Sequence, residues 1–169
     1  MADAFVDSAR AAGKPARARE AGGVKGKIRT ITYETAASDG AGDVKRLFNV
    51  GAHEIPVRCL VMCDATAGLT AVELGLYRPS LGAVVDRDAL MSSIDLSAGY
   101  AFAAAKDGLS ALGIEKRGIS TFAELAAAVV TTDVIGHIPF DSYDVALTQV
   151  SDVSAVGTVT VILETIENQ

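Results

Sequence analysis

Six stretches of this chain alternate apolar and polar residues with a period of two, and that pattern constrains the fold more than any other feature. Side chains on a β-strand point to opposite faces in turn, so alternation marks a strand with one face on a core. The last stretch is the clearest: Val159, Val161 and Leu163 alternate with Thr158, Thr160, Ile162 and Glu164. Tyr143, Val145 and Leu147 alternate with Asp144, Ala146 and Thr148, and Val72, Leu74 and Leu76 with Glu73, Gly75 and Tyr77, before Pro79. Near the beginning, Ile31 and Tyr33 alternate with Thr30, Thr32 and Glu34, which predicts a strand over 27–35; a short run follows over Val44 to Val50. Ile55, Val57, Cys59, Val61 and Cys63 would share one face of another strand. Its apolar Leu60 and Met62 imply cover on the second face too, and Pro56 implies an edge or first-residue position. The first and last strands are the longest and are expected to be central. Ser154-Ala155-Val156-Gly157 has the composition of a hairpin link between the last two.

Between these runs the signals change. Thr35 to Gly42 is rich in small and turn-forming residues, with Asp39-Gly40 supplying a reversal. Asp86 to Leu96 carries Leu90 and Ile94 four apart, which predicts a short helix with one of its aspartates as N-cap. Thr121-Phe122-Ala123-Glu124 matches a helix capping box, with Phe122, Leu125, Ala126 and Val129 on one face of the helix that follows. Repeated strand–helix–strand crossovers are absent, which disfavours a parallel sheet. The expected fold is mainly β (α+β). It is an antiparallel β-sandwich or barrel-like domain with one or two short inserted helices and an extended N-terminal arm.

With 169 residues, half of them apolar, the chain suits one domain with a real core, and it is too apolar for outright disorder. The first 25 residues stand apart: five basic side chains (Arg10, Lys14, Arg17, Arg19, Lys25) and three acidic ones give them +2, leaving −8 for residues 26–169 of a chain totalling −6. They are rich in Ala and Gly and are interrupted by Pro15, which reads as a flexible basic arm suited to a neighbour's acidic surface, or as a plain tail. The acidic balance argues against a nucleic-acid partner. No apolar run is long enough for a membrane span, and Met1 to Asp7 lacks the pattern of a secretory signal, so a cytosolic start is expected.

Chemistry finds little to attach to. His53 and His137 sit in no nucleophile signature and at no zinc-site spacing. Cys59 and Cys63, on one strand, are too far apart for a disulfide and read as buried free thiols. Asp86-Arg87-Asp88 lacks the remaining oxygens of a calcium loop, and the 16 glycines form neither a P-loop nor a dinucleotide fingerprint. No catalytic, metal or cofactor-binding residue is expected; the reading is a structural or interaction protein, not an enzyme. A small hydrolase or ligand-binding domain centred on either histidine is the alternative from another class, and a surface-adhesion domain a third.

The order of several segments adds to this. Val24-Lys25-Gly26-Lys27-Ile28-Arg29 opens the domain, and Ser38-Asp39-Gly40-Ala41-Gly42-Asp43-Val44 follows the first strand. Next come Glu73-Leu74-Gly75-Leu76-Tyr77, Gly82 to Leu90, Thr121 to Leu125, Tyr143 to Thr148, and Gly157-Thr158-Val159. In this order, over residues 24 to 165, the chain resembles the capsid decoration (cement) proteins of tailed bacteriophages. The resemblance implies a virion protein on the outer surface of an expanded head, assembled in the host cytoplasm. It also implies the major capsid protein as partner, self-association as a homotrimer, and no cofactor. The basic side chains of the arm, Arg10, Lys14, Arg17, Arg19 and Lys25, are its candidate capsid contacts. A tail or head–tail joining component is the neighbouring alternative.

Overall fold

A computed structural model of the protein describes residues 24–65, 69–79, 83–113, 116–127, 141–153 and 155–168. Eight strands form two four-stranded sheets, every pairing antiparallel: β1 (Val24–Glu34), β2 (Val44–Gly51), β3 (Glu54–Cys63), β4 (Val72–Tyr77), β5 (Val84–Ile94), β6 (Lys106–Asp107), β7 (Ser142–Gln149) and β8 (Thr158–Asn168). One sheet runs β1-β8-β3-β6 and the other β2-β7-β4-β5. Their inner faces meet in one apolar cluster, Cys59, Val61, Val159, Val161 and Leu163 from the first sheet and Val50, Leu74, Leu76, Val145 and Leu147 from the second. Of the two expected arrangements, sandwich and barrel, this is the sandwich.

The alternating runs form strands where the pattern placed them, although burial follows the alternation cleanly on β8 and not on β4, where every residue is buried. On β8, Val159, Val161 and Leu163 are buried while Thr160, Ile162 and Glu164 are half-buried on the far side. Each fully buried Val or Leu adds about 1.5–3 kcal/mol relative to leaving it in water. The capping box also forms: Glu124 N–H donates to Thr121 Oγ1 (3.2 Å) and Thr121 N–H to Glu124 Oε2 (2.7 Å). It opens α1 (Phe122–Ala127), whose Phe122, Leu125 and Ala126 are buried; Val129 lies outside the described residues.

Four expectations are corrected. Residues 86–94 belong to β5, not to a helix, and Asp86 and Asp88 lie within that strand rather than at a helix N-cap. β5 pairs with β4 through three register shifts, so Leu90 and Met91 are adjacent in sequence and both buried, and Ser93 takes φ 51°. Bulges of this kind erase the period of two. Second, β1 is long but lies at the edge of its sheet, while β8 is central. Third, the link expected to be a hairpin does not join paired strands, since β7 and β8 are in different sheets; Ser154 lies outside the described residues, and at Gly157 Thr35 N–H donates to Gly157 O (2.8 Å) and Gly157 N–H to Thr35 Oγ1 (2.9 Å). Fourth, a register shift between Pro56 and Arg58 changes the phase of β3. Pro56, Cys59, Val61 and Cys63 face inward, while Val57 is 42% exposed. Pro56 pairs only with β8, because β6 covers only Leu60 and Val61 on the other side.

Candidate functional site

Of the basic arm residues, Arg10, Lys14, Arg17 and Arg19 lie outside the described residues. Lys25 is exposed on β1, opposite Glu167 of β8. His53 is exposed at the corner between β2 and β3, and His137 lies outside the described residues. Cys59 and Cys63 are buried and free; burial pushes the Cys59 thiol up to about 12, and Cys63 Sγ lies 3.3 Å from Leu96 O. Both act as small apolar side chains. Burial and the neighbouring Asp88 carboxyl raise Asp86. Among the described residues no cluster of His, Cys, Asp and Glu is placed to hold a metal ion, and no helix is long and apolar enough to cross a membrane.

What the fold does assemble is a patterned sheet face. On the outer side of β1, β8 and β3, residues align in rows: Ile28, Glu164 and Arg58; Thr30, Ile162 and Leu60; Thr32, Thr160 and Met62. Ile28 is 71% exposed, and Ile162, Leu60 and Met62 are half-buried. Polar partners hold the rows in place. Arg58 Nη1 lies 3.5 Å from Glu164 Oε1, Thr32 and Thr160 share a hydroxyl hydrogen bond (2.9 Å), and Thr158 Oγ1 donates to Glu34 Oε1 (2.9 Å). β-Branched side chains on a paired sheet have little rotamer freedom left to lose, so such a face binds at low entropic cost.

At one end of this face, Met62, Thr158 and Thr160 border an open depression of about 470 Å³, closed opposite by Gly99, Tyr100, Ala101 and Phe102. Tyr100 is fixed by paired backbone hydrogen bonds with Cys63 (3.0 and 2.6 Å), and Lys106 Nζ stands 4.2 Å from its ring centroid. Phe102 at the rim is 64% exposed. Gly99 has φ +73°, and a Cβ there would come within 2.7 Å of Ala65 N, so this wall requires glycine. The depression thus has a mixed lining, Met62 with Thr158, Thr160 and Asp64, and an exposed aromatic side chain at its rim.

The opposite end of the sandwich is held by Glu54 on the inner side. Arg29 donates to both carboxylate oxygens (2.8 Å each), Lys27 Nζ (3.0 Å) and Thr165 Oγ1 (2.7 Å) add to them, and Gly51 N–H donates at 3.2 Å. Burial by itself raises the Glu54 carboxyl, but the Arg29, Thr165 and Lys27 hydrogen bonds more than offset it, taking it from 4.5 down to about 2. A lowered folded-state value means stability that is whole above the unfolded value and lost as pH falls toward about 2. Glu54→Gln is expected to cost about 2 kcal/mol in urea unfolding at neutral pH, and the gap to the parent should narrow at pH 3. An unchanged gap would assign the stabilisation to packing instead. No alternation rule marks Glu54; its signal is only a carboxylate opposite two cations once the strands are paired.

No family model matches the chain, and neither does any curated protein. Solved structures do. The fold is shared with chains of phage capsids. A chain of the Cyanophage Pam1 capsid asymmetric unit matches at TM-score 0.53 and 12% identity, over 86% of this chain and 87% of that one. A chain of the capsid of Ralstonia phage GP4 matches at TM-score 0.57 and 14% identity, over 88% of this chain and 86% of that one. Coverage is reciprocal, so what is shared is nearly the whole domain path and not a common half-sandwich.

Proposed function

We propose that the protein is a virion structural protein of a tailed bacteriophage: a decoration protein, assembled as a trimer in the host cytoplasm, that binds the major capsid protein on the outside of the expanded head and reinforces it. The observation that carries this is the whole-domain likeness to chains within two phage capsid structures. The sandwich supports it by presenting a stiff, Thr- and Ile-bearing face with an aromatic-rimmed depression. In this reading no residue turns over a substrate and no cofactor is used.

The mechanism is differential binding. A ligand that binds one state of a partner and not another stabilises it by RT ln(1 + [L]/Kd), about 2.7 kcal/mol per site at a hundredfold excess over Kd. Repeated over a symmetric shell, a modest contact becomes a large resistance to rupture or to reversal of expansion. The leading basic segment serves as a strap across the acidic neighbour it meets. Purified protein added to isolated, tail-free heads lacking it should saturate them in hundreds of copies. A tail or joining component would leave such heads bare or bind at a single vertex. Deleting residues 2–23 should lower occupancy and the temperature at which heads rupture, and unchanged values would remove the strap from the account.

A further inference from the structure

The strands that end the two sheets do not leave equivalent edges. β6 is two residues long, β2 carries a register shift between Arg46 and Phe48, and β5 has three such shifts with Ser93 at φ 51°. Shortness and bulges are the usual devices that stop a sheet edge from accepting another strand. β1 has neither. Its register runs unbroken over eleven residues, from Val24 opposite Asn168 to Glu34 opposite Thr158, and it contains no proline. Among the described residues no strand pairs with its other side. That side offers a straight row of backbone donors and acceptors, flanked on the outer face by Ile28, Thr30 and Thr32, all exposed.

We infer that β1 is a self-pairing edge, joining two copies of this chain antiparallel, β1 to β1, into one continuous sheet. Because the other edges of a second copy are blunted, the open edge of one copy finds its match in the same edge of another, which requires a twofold axis. Charge selects the direction: parallel pairing would set Lys25, Lys27 and Arg29 of both copies side by side, whereas antiparallel pairing sets this basic half against the half ending in Glu34. Charge also selects the register, since like charges directly opposite are unfavourable. An axis at Arg29 opposes the two guanidinium groups, and one at Ile28 opposes Arg29 to Lys27. An axis at Thr30 gives the longest overlap without such a pair, with Ile28 against Thr32, Lys27 against Tyr33, and Gly26 leaving room for Glu34. A twofold contact cannot close a trimer, so on the reading above it lies between neighbouring trimers; the inference itself is tested on the isolated protein and does not depend on that reading.

The test uses the full chain with single substitutions Ile28→Cys, Thr30→Cys or Thr32→Cys and a short bis-maleimide linker, Cys59 and Cys63 being buried. Thr30→Cys should give covalent dimers about tenfold faster than an Ile119→Cys control, as expected when paired strands raise the local thiol concentration. Ile28→Cys mixed with Thr32→Cys should give the mixed dimer at a similar rate, and Ile28→Lys together with Thr32→Lys, which sets like charges directly opposite, added to Thr30→Cys should return the rate to that of the control. Rates for Thr30→Cys no faster than for Ile119→Cys would overturn the inference, as would cross-linking that persists in denaturant. Preferential linkage of Thr30→Cys to a shell subunit would overturn it too, giving the edge to a different partner.

Discussion

A Val161→Asp chain is expected to lose its fold altogether. Val161 sits at the middle of β8, with no exposed surface, opposite Ile31 of β1 on one side and Val61 of β3 on the other. Val161 packs in the apolar cluster between the two sheets, and no cation is among the buried residues described there. An unpaired carboxylate there costs more than about 5 kcal/mol, which takes up most or all of the stability of a domain this size. Far-UV circular dichroism and sedimentation should show an unfolded or aggregated chain. Ile162→Asp, one residue along on the outer face, should remain folded. If the two variants behave alike, the inner face has been assigned wrongly and the sandwich description fails with it.

The second large effect is expected at Gly75. This residue is the centre of β4, paired with β7 on one side and facing the irregular stretch of β5 on the other. A Cβ built at Gly75 would overlap backbone atoms of Asp86 and Arg87, which cannot swing aside as a side chain can. The close approach is what lets β5 bulge and still bury both Leu90 and Met91. Gly75→Val should therefore cost about 4 kcal/mol or more, well beyond an ordinary core substitution, because either β5 detaches or β4 shifts. The thermal midpoint of the variant reads this directly, and Gly26→Val is the control, since its added Cβ meets nothing. Equal midpoints for both would mean that β5 does not pack on β4 as described.

These two sites also show what the chain discloses before it folds. Val161 is legible because β8 has a dry face and a wetter one, so its alternation is complete. Gly75 is not, because a glycine in an alternating run looks the same whether it meets open space or a backbone. β5 was hidden by arithmetic: Leu90 and Ile94 are four apart, which satisfies one face of a helix and one face of a strand equally. The same limit explains β1 and the link between β7 and β8. Periodicity says which side chains face inward, but not which strand lies alongside, so an edge strand reads like a central one and a link between sheets like a hairpin. As for the site, Lys25 stands out by charge alone, whereas Ile28, Ile162 and Met62 form a face only after three strands are placed in register. Glu54 is a further step removed, since its cations come from β1, 25 and 27 residues away in sequence.

The most direct test is the preference for one shell state over another. Purified protein should be mixed separately with expanded heads and with unexpanded precursor shells, each stripped of it, and bound copies counted after sedimentation across a concentration series. The account predicts saturable binding to expanded heads and at least about a hundredfold weaker binding to precursors, the difference that makes occupancy stabilise the mature state. Equal binding to both shells, or none to either, would contradict it.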